Sequence, residues 1–283
     1  MTIGGPTITL SNGVKMPQVG LGTWLVAVKT AIETGYRLID TAAIYGNEAA
    51  IGETVRELIQ AGKIKREDLF ITTKLWVTHL HPNDTESAIR ESLRLLQMDY
   101  VDLYLAHAAV CYSHDMSKQN LSVTVQDIWC GLEGVYAKGL AKAIGVSNWS
   151  IEQIERVMKI AKVPIHNCQV ECHLYWPQHE LHDTCKKYNI SFTSYASLGS
   201  PGRVKCQPKG MKIHWAPAPN AFEDPHVKEL AKKYSKTPAQ LFDFALTVDD
   251  IKLLESTKHR QRLFMQEFFA GHPEDPYKTE RKH

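Results

Sequence analysis

The chain lacks any long apolar run: nowhere in its 283 residues do about 20 consecutive apolar positions occur, the length a bilayer-spanning helix needs. It also lacks an excess of charge of one sign, with 33 Lys and Arg against 31 Asp and Glu, a formal net charge of +2. That balance removes the electrostatic argument for a nucleic-acid or anionic-membrane partner and leaves a small molecule as the expected one. Residues 1–10 have neither the basic start nor the apolar core of a secretory leader, so a cytosolic chain is expected. The six cysteines include no CxxC pair and are expected to be free thiols. Cys168 and Cys172, four apart beside His173, have no second ligand pair after them, so no metal is expected. Linkers and low-complexity stretches are absent too, which predicts a single domain over 1–283.

What is present is a core-forming composition, 43% hydrophobic and 23% charged, arranged in a regular beat. Residues 7–16 alternate apolar and polar around Asn12-Gly13, the strongest short-range hairpin signal. Short apolar runs then alternate with segments of helical periodicity. Strands are expected at 36–40, 69–75, 101–107, 141–146, 165–170 and 190–195. Helices are expected at 47–61, 83–96, 125–138, 150–161, 180–188 and 225–234. This alternation implies βαβ units and a parallel sheet, either open and doubly wound or closed as a barrel.

The chemistry lies where these strands end. Asp40, Lys74, His107, Ser147 with Asn148, Gln169 and Tyr195 stand at or near the C-terminal ends of six different strands. That is where parallel α/β enzymes place their reactive groups. Taken singly, Asp40 could be a helix cap, Lys74 a solvated strand end and His107 a core histidine; six in register favour the catalytic reading. Tyr45 carries a phenol with an ordinary pKa of about 10, a weak acid at neutral pH unless a cation lies beside it. Lys74 supplies a cation, Asp40 a group to hold it, and His107 a donor for a carbonyl oxygen that gains charge. Such a set delivers a proton to an alkoxide. Because no side chain donates hydride, a nicotinamide cofactor is implied, with Ser147, Asn148 and Gln169 to hold its carboxamide and Tyr195 its ring. A dinucleotide fingerprint is excluded, since Gly20-x-Gly22 has Leu25 in place of the third glycine. The Tyr-x-x-x-Lys pair of short-chain dehydrogenases is absent as well.

Seven motifs in order are similar to those of the aldo-keto reductase family: Gly20-Leu-Gly-Thr-Trp24, Asp40-Thr-Ala-Ala-Ile-Tyr45-Gly-Asn-Glu, Thr73-Lys74-Leu-Trp76, Leu105-Ala-His107, Ala143-Ile-Gly-Val-Ser-Asn148, Gln169-Val-Glu-Cys-His173 and Tyr195-Ala-Ser-Leu-Gly-Ser200. The resemblance implies a (β/α)8 TIM barrel with an N-terminal β-hairpin. It further implies a monomer that reduces aldehydes or ketones with NADPH. By the same resemblance Asp40, Tyr45, Lys74 and His107 are the catalytic four, with Tyr45 the general acid. Gly22, Thr23, Asp40, Ser147, Asn148, Gln169, Tyr195, Ser197, Leu198 and Ser200 would contact the cofactor, and Trp24, Tyr45, Trp76 and His107 the substrate. A non-catalytic or cofactor-sensing barrel of the same fold is the alternative.

The departures from the family are specific. Only eleven residues, 25–35, stand where a loop and a full helix belong. A helix opening at residues 237–242 passes directly into Asp243, so the eighth strand and the basic residues for the 2′-phosphate are missing from the sequence. A break in the recorded chain at Phe242/Asp243, and another just after Trp24, is expected on that ground. Gly199-Ser-Pro-Gly202-Arg203 reads either as an anion cradle or as an ordinary turn. Ala108-Ala109, in place of a bulky residue and a proline, is expected to widen a pocket wall. The segment 268–277 resembles the family's loop over the substrate.

Overall fold

The structure, a computed structural model, describes residues 5–24, 28–203, 215, 218–240 and 245–281. Both expected chain breaks, at Phe242/Asp243 and just after Trp24, lie outside the described residues.

The hairpin forms as the sequence predicts. Strands β1 (Thr7–Thr9) and β2 (Lys15–Pro17) pair antiparallel, with Ile8 opposite Met16. The turn uses Gly13 at φ +88°, a conformation that disfavours any residue with a Cβ, and Gly13 N donates to Leu10 O at 2.8 Å. A seven-stranded sheet follows in sequence order: β3 (Gly20–Gly22), β4 (Leu38–Asp40), β5 (Phe70–Leu75), β6 (Leu103–Ala106), β7 (Ile144–Ser147), β8 (Asn167–Glu171) and β9 (Ser191–Tyr195). Every pairing from β3 to β8 is parallel. Seven parallel strands in sequence order with intervening helices place the chain in the (β/α)8 TIM-barrel class, seven strands of that sheet lying among the described residues, with the N-terminal hairpin in addition.

The helices are α1 (Val28–Glu33), α2 (Glu48–Gln60), α3 (Pro82–Leu96), α4 (Val125–Ala137), α5 (Ile151–Met158), α6 (His179–Lys187), α7 (Pro225–Tyr234) and α8 (Val248–Glu255). Local chemistry sets their starts. Thr124, Ser150 and Thr247 cap α4, α5 and α8 through reciprocal bonds with Asp127, Gln153 and Asp250, each satisfying two backbone N–H groups. The stretch 25–35 still contains a helix, the six-residue α1. Residues 237–240 make a turn in which Gln240 N donates to Thr237 O and Thr237 N to the Gln240 side chain, the same backbone-to-side-chain bond that Ser150 and Gln153 form at the start of α5; the rest of the helix expected from 237 to 242 lies outside the described residues.

The described residues form two compact units. The first comprises Met1–Gln169, Leu181–Thr193 and Phe268–His283. Its hairpin residues Leu10 and Met16 pack with Leu38, Phe70 and Leu103, each the first residue of its strand. Burying the N-terminal ends of the strands beneath the hairpin leaves their C-terminal ends to carry polar groups. In the second unit, Val170–Glu180 and Ser194–Glu267, the fully buried Glu171 carboxylate is a central acceptor. It receives Leu263 N at 2.5 Å and Phe264 N at 3.1 Å, and pairs with His173 Nε2 at 2.8 Å.

One strand contact is tight enough to test. A Cβ on Gly145 in β7 would lie 2.3 Å from the Asn167 carbonyl oxygen of β8 and 2.8 Å from Leu105 Cδ2. Gly145→Ala is therefore expected to destabilise the protein by about 1–3 kcal/mol through overpacking, read as a lower urea midpoint; an unchanged midpoint would show that β7 and β8 can separate freely.

Candidate active site

Strand ends bring the site residues together in the first unit. Asp40 closes β4, Lys74 is the penultimate residue of β5, His107 follows β6, Ser147 closes β7, and Gln169 lies in β8, paired with Ser147. Lys74 is buried and donates from Nζ to Asp40 Oδ1 and, at 2.8 Å, to Thr41 O. Asp40 Oδ2 accepts Gln169 Nε2 at 2.7 Å, so β4, β5 and β8 converge on one carboxylate. Burial pulls the Lys74 pKa down, but the charge and hydrogen bond of Asp40, together with Tyr45, more than offset it, and the ammonium is held above its ordinary value. Lys74 is thus a fixed cation.

Tyr45 ends a 3-10 turn (Ala43–Tyr45), with Lys74 Nζ 5.2 Å from its ring centroid. Its pKa is raised, first by burial and then by the Asp40 charge, while Lys74 pulls it down. The expected action of Lys74 is there, but desolvation outweighs it. The turn is held by Asn47, which donates to Thr23 O at 2.9 Å and Thr23 Oγ1 at 3.1 Å, and accepts Thr41 Oγ1 at 2.6 Å. Thr23 in turn bonds Asp40 O through both N and Oγ1.

His107 sits edge-on to Tyr45, ring centroids 5.8 Å apart, and to Trp76 at 5.2 Å. Burial and the Lys74 cation hold its pKa well below the ordinary 6.5, so the imidazole is neutral at pH 7. Among the described residues Nδ1 is enclosed without a hydrogen-bond partner, whereas Nε2 is not enclosed in this way. A bare lone pair is cheaper to enclose than a bare N–H, which places the single ring proton on Nε2. Trp24 lies 6.4 Å from Tyr45, and Phe268 lies 5.8 Å from Trp76 and 6.1 Å from Tyr112. The tail is latched there: the Tyr112 hydroxyl donates to Phe268 O, and Gln119 Nε2 to Phe268 O at 3.2 Å and Ala270 O at 3.0 Å.

Asn148, in the left-handed region at φ +57°, donates through Nδ2 to His107 O at 2.9 Å and accepts the Tyr277 hydroxyl at 3.2 Å. Gln169 Oε1 has no hydrogen-bond partner among the described residues, and a Cβ on Gly22 would meet nothing within 4 Å. An unused acceptor and an open strand end fit a bound carboxamide-bearing ring. In the second unit Tyr195, Ser197, Leu198 and Ser200 share one tight loop, with Ala196, Gly199 and Ser200 all at positive φ. Arg203 donates to Gly199 O at 3.2 Å and Ser200 O at 3.3 Å, bracing the loop that the sequence offered as an anion cradle.

Several residues escaped the sequence reading. Asn47 and Glu48 stood inside a quoted motif with no role, and Tyr112, in the loop after β6, drew no notice because its partner Phe268 is remote in sequence. Ala108 and Ala109 correct an expectation: both are fully enclosed by protein and face the core, so they widen no open wall. Among the described residues, no cluster of His, Cys, Asp or Glu could hold a metal ion, and no helix is long and apolar enough to cross a membrane.

Fold and site together define a (β/α)-barrel protein with acid–base groups at the strand C-terminal ends. Residues 17–249 match the model of the aldo/keto reductase family, and the chain belongs to that family. It is 42% identical over 258 residues to aldo-keto reductase family 1 member A1 of Gallus gallus, covering 85% of this chain and 76% of the relative. It is 38% identical to member A1-A of Danio rerio, covering 92% and 91%. That second alignment runs over 305 positions, more than this chain has, so the relative carries residues without a counterpart here. Among solved structures, the aldose reductase of Schistosoma japonicum superposes with TM-score 0.85 at 30% identity, covering 98% of this chain and all of that one. An aldo-keto reductase complexed with NADPH gives 0.86 at 30% identity, covering 96% and 93%.

A pH dependence follows from His107. An unfolded chain takes up a proton near pH 6.5, while the folded His107 resists it, so the stability His107 contributes is present above about pH 6.5 and lost as pH falls below it. The slope of melting temperature against pH between about 6.5 and 5 is expected to be shallower in His107→Gln; an equal slope would mean that His107 is not held neutral.

Proposed function

We propose that this chain is an NADPH-dependent reductase that converts aldehydes or ketones to alcohols, with Tyr45 as general acid. The observation that carries this reading is the juxtaposition of a buried Lys74–Asp40 pair, the Tyr45 phenol and a neutral His107, with Trp24 and Trp76 beside them. Family membership and the NADPH complex of a structural neighbour support it. The near-balanced charge suits a small carbonyl substrate rather than a nucleic acid or membrane. We read the chain as one catalytic barrel domain, acting as a cytosolic monomer.

In this reading Gly22, Thr23, Asp40, Ser147, Asn148 and Gln169 bind the cofactor, as do Tyr195, Ser197, Leu198 and Ser200. Gln169 Oε1 is the acceptor for the carboxamide N–H. When bound, the reduced nicotinamide supplies the hydride. The substrate carbonyl oxygen sits between Tyr45 Oη and His107 Nε2. His107 donates a hydrogen bond that strengthens as the oxygen gains charge, and Tyr45 transfers its proton to that oxygen. The Lys74 cation stabilises the phenolate left behind, and Asp40 keeps Lys74 charged and in place. Trp24 and Trp76 flank the substrate.

Tyr45→Phe keeps the packing and removes the proton. It is expected to lower aldehyde turnover by at least about 10²-fold with NADPH affinity nearly unchanged, measured by fluorescence titration and steady-state assay of a generic aldehyde. Wild-type-like turnover would remove Tyr45 from the acid role.

A second reading, a cofactor-binding barrel without turnover, draws on the residues its relative has and this chain lacks. If the chain runs without a break at Phe242/Asp243, and so without the basic residues that the family resemblance implies for the 2′-phosphate, NADPH is expected to bind weakly and with little preference over NADH, since charge-assisted contacts are worth ~1.5–3 kcal/mol each. Strong discrimination for NADPH in paired titrations would show that another basic cluster, such as Lys258, His259 and Arg260, has taken over the task.

A further inference from the structure

The buried carboxylate of Glu48 has no part in the chemistry above, although it stands three residues after Tyr45. It is only 2% exposed, and among the described residues no cation lies within ion-pair distance. Its Oε1 accepts Thr73 Oγ1 at 2.6 Å and its Oε2 accepts Ser92 Oγ at 3.2 Å. A buried carboxylate satisfied only by hydroxyls is expensive to keep, and an apolar side chain would fill the space more cheaply.

The placement explains it. Thr73 precedes Lys74 in β5, and neighbours in a strand point to opposite faces, so Thr73 faces away from the side on which Lys74 meets Asp40. Glu48 opens α2 directly after the turn that carries Tyr45, and Ser92 lies in α3. One side chain therefore ties the Tyr45 turn, the Lys74 strand and α3 at a single point. Asn47 holds the same turn on its other side, to Thr23 and Thr41. We propose that Glu48 is a positioning residue that sets the separation of the Tyr45 phenol from the Lys74 cation, by clamping β5 to the turn through Thr73 and to α3 through Ser92. The inference rests on the reading of Tyr45 as the acid.

Burial pushes the Glu48 carboxyl up, and the Thr73 and Ser92 hydroxyls pull it back. The groups that act on it electrostatically are Lys74 from β5, Tyr104 from β6 and Glu91 from α3; those around Tyr45 are Lys74, Asp40 and His107. Because a hydroxyl can both donate and accept, an amide can replace the carboxylate without breaking the clamp.

Three variants test this. Glu48→Ala is expected to lower kcat by about 10²-fold, the scale of a small misplacement of reacting groups, with the KM for aldehyde little changed and the alkaline limb of the pH–rate profile moved to higher pH. Glu48→Gln is expected to keep most of kcat and the wild-type profile. Thr73→Val, a nearly isosteric change that folds even if the alanine variant does not, is expected to fall between them. Wild-type kcat per folded molecule in both Glu48→Ala and Thr73→Val would overturn the proposal, as would a Glu48→Gln variant as impaired as Glu48→Ala, which would point to charge instead of geometry. If the wild-type chain turns over no aldehyde, the functional reading fails but the clamp is still tested by crystal structures of the cofactor-free variants. The Lys74 Nζ to Tyr45 centroid distance, 5.2 Å here, is expected to lengthen in Glu48→Ala and not in Glu48→Gln; an unchanged distance in Glu48→Ala overturns it.

Discussion

The ion pair between Lys74 and Asp40 is the constraint around which the first unit is arranged. An ammonium group enclosed by protein loses its hydration, and the loss is tolerable only when a carboxylate and further acceptors replace the water. Here Asp40 and the Thr41 carbonyl do so, and Gln169 occupies the second oxygen of Asp40. The three strands that supply these groups cannot shift relative to one another without leaving a charge unsatisfied. The same cation pulls down the proton affinity of both Tyr45 and His107, but burial is the larger influence at each: it raises the Tyr45 pKa against Lys74 and lowers that of His107 together with it.

Around that pair the structure separates the work of stability from that of chemistry. The hairpin packs Leu10 and Met16 against the first residues of the strands, an apolar seal. At the opposite ends the strands carry polar side chains, held by short-range bonds: Asn47 on Thr23 and Thr41, Glu48 on Thr73 and Ser92, Asn148 on the His107 carbonyl. The tail adds a third layer. Glu274 receives Arg156 through both carboxylate oxygens, Tyr277 reaches Asn148, and Phe268 lies against Trp76. The second unit repeats the device on a smaller scale, with Glu171 collecting two backbone N–H groups and His173 away from water.

The sequence by itself determined the order and type of the elements, because those depend on near neighbours. Apolar periodicity, the Asn12-Gly13 turn, and the Thr124, Ser150 and Thr247 caps act within a few residues and need no tertiary partner. Polar groups at strand ends marked the site, because a parallel α/β fold leaves only those ends for chemistry. The tertiary structure alone decided what depends on burial and on contacts far apart in the chain. Whether His107 is charged, and whether burial or Lys74 wins at Tyr45, are sums over an environment that no local pattern encodes. The same holds for Ala108 and Ala109, which look like a widened wall in the sequence and lie in the core. It holds also for Arg203, whose Nη1 donates to two carbonyls of its own loop. Glu48 is the clearest case: its neighbours in sequence say only that it begins a helix, and its partners, Thr73 and Ser92, are brought to it by the fold.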